Sequence, residues 1–154
     1  MGQEFIVAVD IDAAKLDAAR EMGAVATLDA SRDDALSELR SIADNRLAAV
    51  LDTVGTPSTS RLAVHALMKT GRYVVVGLHG GDFRMPLAWL PQKALTVRGC
   101  HVGNARELRE LIGLVRAGKV KEMPVTTRPL CEVNEALADL RAGKVTGRVV
   151  LNAD

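Results

Sequence analysis

Aromatic side chains are almost absent from this sequence: one Trp, one Tyr and two Phe make up 3% of 154 residues. Single-stranded nucleic acids are held largely by bases stacking on aromatic rings, so that mode of binding is excluded. No run of five or more like charges occurs, and 20 basic against 19 acidic residues leave a net charge of +1. That balance provides no electrostatic footprint for a nucleic acid or an anionic membrane. Cysteine is also scarce. Cys100 and Cys131 have no CxxC spacing, which excludes a disulfide framework and implies reduced thiols. No apolar stretch approaches the ~18 residues that a bilayer span needs. The N-terminal residues lack the basic segment and the length of a secretory leader. The expectation is a soluble cytoplasmic protein without a membrane or nucleic-acid partner. His65, His79 and His101 are widely spaced, and neither His79 nor His101 has a Cys or carboxylate at ligand spacing. No Ser/His/Asp or Cys/His triad is supported, so the residues name no catalytic group and no metal site.

What is present is an ordinary globular composition, 48% hydrophobic and 25% charged, in which strand and helix signals alternate. Phe5 to Val9 form a β-branched apolar run that reads as a buried parallel strand ending at Asp10. Asp12 caps a helix through Met22, with Gly23 just past its end. Ala26 to Leu28 make a short strand. Ser31 and Asp34 are placed as a capping box for a helix carrying Leu36, Leu39 and Ile42. Ala48 to Leu51 read as a second buried strand. Thr56 and Pro57 open a helix that Gly71 ends. Tyr73 to Val76 form the clearest strand, stopped by Gly77. Residues 79–93 read as irregular, and Leu95 to Val97 resume a strand toward Cys100. Asn104 and Glu107 cap a helix with Leu108, Leu111, Ile112 and Val115 turned inward. Pro124 to Thr127 are β-like. A last helix carries Val133, Ala136, Leu137 and Leu140, and Arg148 to Leu151 close the chain as a strand. Such alternation specifies an α/β fold, a parallel sheet with covering helices.

Open parallel sheets hold ligands at the carboxyl ends of their strands. Asp10 occupies such an end. A carboxylate there can grip a ribose diol and repels a 2′-phosphate, which favours NAD over NADP; its alternative is a capping or solvated Asp. Lys15, in the first helical turns, reaches toward the same sugar or is an ordinary exposed lysine. Thr53, Val54 and Gly55, and Val76, Gly77 and Leu78, follow two further strands. Glycine at such a place lets a flat ring approach the backbone, or simply makes a turn.

In sequence order, Val9-Asp10-Ile-Asp-Ala-Ala-Lys15-Leu, Glu21-Met-Gly-Ala24, Val50-Leu-Asp-Thr-Val-Gly55, Gly71-Arg-Tyr-Val-Val-Val-Gly77, Val97-Arg-Gly-Cys100 and Gly143-Lys-Val-Thr-Gly-Arg-Val-Val-Leu151 resemble the zinc-type medium-chain dehydrogenases, typified by alcohol dehydrogenases. The resemblance implies a truncated Rossmann-like parallel sheet with helices on both faces. Residues 1–103 would form a partial NAD-binding domain, with residues 104–154 packed on the same unit. Asp10 and Lys15 would hold the adenosine ribose, and Thr53 and Val54 would line the adenine side. Backbone atoms of Val76 and Leu78, around Gly77, would bond the nicotinamide carboxamide, with Cys100 and Val102 completing that contact. Arg148 would reach the pyrophosphate as a charge-assisted donor. The segment Phe83 to Leu87 resembles an edge strand used for dimer pairing, which implies a homo-oligomer.

The departures matter equally. The glycine-rich phosphate loop would fall before Met1, and with it the central strand between those at 5–10 and 48–53. Zinc is expected only in a catalytic domain that lies outside this sequence. The reading is an NAD-dependent alcohol dehydrogenase fragment whose parent transfers hydride between a small alcohol or carbonyl substrate and NAD. Two alternatives stand beside it: a non-catalytic nucleotide-binding or dimerising remnant, and a zinc-free quinone or enoyl reductase relative.

Overall fold

The computed structural model describes residues 5–121 and 123–153. The chain divides into two compact units, 1–103 and 104–154, described here separately.

The first unit alternates β1 (Val7–Asp10), α1 (Ala13–Glu21), β2 (Ala26–Asp29), α2 (Ala35–Ile42), β3 (Ala49–Asp52), α3 (Pro57–Ala66), β4 (Arg72–Val75), α4 (Trp89–Lys93) and β5 (Thr96–Gly99). Every strand pairing is parallel, and a helix connects each pair as a parallel crossover needs. The strands form two sheets, β1-β2 and β3-β4-β5. Among the described residues no ladder joins β1 to β3, and each lies at the edge of its sheet. One apolar core nonetheless serves both sheets. Leu28, Ala35, Leu39 and Ala66 form it, and Val7, Leu36, Leu47 and Leu62 pack against it. A second cluster, Ala63, Val64, Leu67 and Tyr73, backs β3 to β5.

Local signals account for most boundaries. The Asp12 carboxylate accepts from the Ala14 and Lys15 amides at the start of α1. Gly23, with φ of 109°, ends it. Thr56 and Thr59 form a reciprocal capping box over α3, with Pro57 at its first position.

Several expectations are corrected. Ser31 does not cap α2. It donates to Asp29, while Asp34 is held by Arg32 and makes no side-chain cap bond. The helix from Pro57 stops at Ala66 rather than running to Gly71. Leu67 turns extended, and the Met68 amide donates to the Leu47 carbonyl. The irregular stretch 79–93 contains the short α4, and within this chain Phe83 to Leu87 pair with no other strand, Phe83 packing on Tyr73. Strands β1 and β3 are less buried than their apolar runs suggest. Leu51 is 66% exposed and Val9 38%. Each of these strands is an edge, so its side chains lack a cross-strand neighbour on one side.

The second unit holds α5 (Ala105–Arg116), β6 (Val125–Pro129), α6 (Val133–Arg141) and β7 (Arg148–Asn152), with β6 and β7 parallel. The Asn104/Glu107 capping box is present on α5. Its apolar side chains are not turned inward. Leu108, Leu111, Ile112 and Val115 are all exposed, as are Leu137 and Leu140 of α6. Only Ala136 is buried among the described residues of this unit, because two strands and two helices enclose too little volume for a core.

Candidate nucleotide-binding site

Asp10 closes β1 in register with Asp29 of β2, so two carboxylates stand side by side at the carboxyl ends of neighbouring strands. Asp10 Oδ1 accepts from the Ile11 and Asp12 amides at 2.8 and 3.1 Å, which fixes the side chain over its own turn. Its Oδ2 accepts no hydrogen bond from the described residues. Asp29 is engaged differently. The Ser31 hydroxyl and amide both donate to it and hold its carboxyl below the usual range. Lys15 lies in α1, with its ammonium 3.9 Å from Asp12. That loose pair leaves most of the donor capacity of Lys15 free.

Two turns follow β3 and β4. After β3, Asp52 leads into Thr53, Val54 and Gly55. After β4 come Val76, Gly77 and Leu78. The Val76 and Gly77 amides both donate to the Asp52 carbonyl, at 2.8 and 3.0 Å. The His79 and Gly80 amides donate to the carbonyls of Val54 and Gly55, both at 3.1 Å. The turns are in backbone contact. A Cβ on Gly77 would stand 2.1 Å from the Val54 carbonyl carbon, and one on Gly55 would stand 2.3 Å from the Gly77 oxygen. Gly55 also has φ of 77°, so no other residue suits either position. The Val76 carbonyl and Leu78 amide have no backbone partner among the described residues, and Leu78 is 87% exposed. An acceptor and a donor two residues apart are the complement of a primary carboxamide.

β5 ends in Gly99. The Cys100 amide is tied to the Val75 carbonyl at 2.8 Å, and Val102 sits in left-handed backbone at φ of 43°. That conformation is costly for a β-branched residue. Cys100 and Cys131 are free and exposed. Arg148 opens β7 in the second unit, exposed, with one guanidinium nitrogen donating to the Gly147 carbonyl. His65 is half-buried, edge-on to the Trp89 ring at 4.8 Å. Burial first, then the Lys93 charge, hold its pKa below the ordinary value. It plays no part in either turn.

The structure thus brings Thr53 and Val54 together with Val76, Gly77 and Leu78. Cys100 joins them through β4, and Asp10 and Lys15 share the β1–α1 turn. Sequence reasoning passed over Asp52, Thr59 and Tyr73. Asp52 Oδ1 accepts from the Val54 and Gly55 amides at 2.9 and 2.8 Å. Its Oδ2 accepts from the Thr59 and Tyr73 hydroxyls, both at 2.7 Å. Burial pushes this carboxyl up, but the four donors outweigh it and leave it below the usual range. Burial, with the Asp52 carboxylate beside it, pushes the Tyr73 hydroxyl well above its ordinary range. The signal in the sequence was an acid directly after an apolar strand, before a Thr-Val-Gly turn.

No group of three or more His, Cys, Asp or Glu among the described residues could hold a metal ion, so these residues do not fit a zinc centre. No helix among them is long and apolar enough to cross a membrane.

Comparison with known proteins gives a consistent result. Residues 1–117 match the family model described as zinc-binding dehydrogenase. Over 147 residues the chain is 36% identical to an NAD-dependent alcohol dehydrogenase of Sulfurisphaera tokodaii, covering 95% of this chain and 42% of that one. A protein of the same description from Saccharolobus solfataricus is 35% identical, with the same coverage. Among solved structures, the alcohol dehydrogenase of Aeropyrum pernix superposes with a TM-score of 0.86 at 33% identity, covering 94% of this chain and 42% of that one. The chain therefore spans under half the length of the relatives it matches. The chain belongs to the zinc-binding dehydrogenase family, with parallel sheets flanked by helices in the manner of the Rossmann-like alcohol dehydrogenases.

Proposed function

We propose that this chain binds NAD and forms the dinucleotide-holding part of an NAD-dependent alcohol dehydrogenase. The observation that carries the reading is the pair of unbonded backbone groups, the Val76 carbonyl and the Leu78 amide, flanking a glycine that no side chain could replace. They would accept from and donate to the carboxamide of the nicotinamide, which fixes the ring face. Asp10, through Oδ2, would accept a ribose hydroxyl, with Lys15 beside it. Thr53 and Val54 would line the adenine side, Cys100 and Val102 would complete the carboxamide contact, and Arg148 would supply charge to the pyrophosphate. A nicotinamide held there would supply a hydride acceptor for an alcohol carbon, the hydroxyl proton passing to solvent as the carbonyl forms. This chain's share of that reaction is binding and orientation, since its described residues offer no seat for zinc. Residues 1–103 would act as the partial NAD-binding domain, and the working protein would be a homo-oligomer acting on a small alcohol or carbonyl compound.

Calorimetric titration with NADH tests the reading. Saturable binding is expected, with NADPH weaker because Asp10 repels a 2′-phosphate. Asp10→Ala should weaken NADH by about 1.5–3 kcal/mol, the scale of a charged hydrogen bond. Absence of NADH binding, or preference for NADPH, would overturn it. A second reading is nucleotide binding without turnover. Binding of NADH with no alcohol oxidation selects that reading.

A further inference from the structure

Asp52 is the only buried carboxylate among the described residues, 5% exposed, and no cation pairs with it. A buried charge is normally expensive, and a well-packed apolar group would hold a fold more cheaply. Here every acceptor position is used. Oδ1 takes both amides of the turn after β3. Oδ2 takes one hydroxyl from the start of α3 and one from β4. The main-chain carbonyl of the same residue takes both amides that begin the turn after β4. One residue therefore ties three elements. Fixing the Gly77 amide inward leaves the Val76 carbonyl and the Leu78 amide unbonded on either side of it.

From this geometry we propose that Asp52, oriented by Tyr73 and Thr59, is the positioning residue for the nicotinamide end of the site: it sets the spacing of the Val76 carbonyl and Leu78 amide without touching the ligand. The inference rests on the proposed dinucleotide binding and deepens it. A four-donor carboxylate locks a turn more tightly than a neutral amide does, because charge-assisted hydrogen bonds are shorter and stronger. Tyr73 is rigid, buried to 1% exposure and packed against Phe83, so it holds Oδ2 at a fixed point. The ribose carboxylate Asp10 shares none of these bonds, and on the adenine side only the Val54 amide does.

The test uses the whole chain with Tyr73→Phe, Asp52→Asn and the milder Thr59→Val, titrated with NADH and separately with ADP-ribose, which lacks the nicotinamide. NADH affinity should fall about tenfold in Tyr73→Phe and Asp52→Asn, the equivalent of one weakened charged hydrogen bond, and ADP-ribose affinity should fall clearly less, through the shared Val54 amide alone. Thr59→Val should show the same selectivity with a smaller loss. Equal weakening of both ligands would mean a structural role only and would overturn the inference, as would unchanged NADH affinity in the variants. Failure of the unmodified chain to bind either ligand would instead bring down the proposed function, and this inference with it.

Discussion

Helices α2 and α5 carry similar apolar stripes but end in opposite surroundings. In α2, Ala35 and Leu39 are 5% and 4% exposed, in the core that joins the two sheets of the first unit. No side chain caps its start. In α5 no residue is buried, yet Asn104 and Glu107 form a complete capping box, and Arg106 and Glu110 make a loose ion pair along one face. Burial and capping are thus independent sources of helix stability. Tertiary packing sustains α2, while local bonds sustain α5. The same contrast separates the units. The first has two apolar clusters, and the second relies on one parallel strand pair and the Arg128–Asp139 bridge at 2.9 Å.

The sharpest way to break that contrast is to truncate each unit's apolar residues and compare. Leu28→Ala should cost the first unit about 2–5 kcal/mol in urea unfolding, read through the single Trp89. Tyr73→Phe should cost about 2 kcal/mol, because it strips one donor from a buried charge. The same carboxylate gives a pH signature. Its folded pKa lies below the ordinary value, so its stabilisation is complete above the usual carboxylate range and is lost as pH falls below it. An acid limb that steepens equally in wild type and Asp52→Asn would discount this network. In the second unit, Asn104→Ala should cost about 1 kcal/mol, seen as faster amide exchange in α5 with the Trp89 transition unmoved. Leu111→Ala should cost least, under about 1 kcal/mol, since the side chain is already 48% exposed. A loss as large as that at Leu28 would mean that the α5 face is covered in solution, and the contrast between the units would fail.

The sequence made the alternation of elements legible because most strands are short apolar runs and most of the longer helices have a cap or glycine at an end. The Asn104/Glu107 box, Gly23 and Pro57 each lie where local chemistry puts them. Misreadings came where a tertiary partner outbid the local signal. Ser31 prefers Asp29 to the helix behind it, and Met68 leaves α3 to bond Leu47. Periodicity in α5 marked which residues share a face but not whether anything covers it. At the candidate site, the two glycine turns were visible as strand-end motifs. Asp52 was not, because its role depends on Tyr73, a distant residue in the chain that meets it only once β3 and β4 pair.

The interlock of Gly55 with Gly77 has a mechanical consequence. Each turn fills the space that the other would need in order to shift alone, like two teeth meshed in a gear. A push on Leu78 must therefore displace Val54 as well, so in the proposed dinucleotide site contact at the nicotinamide end would be felt in the loop assigned to the adenine side.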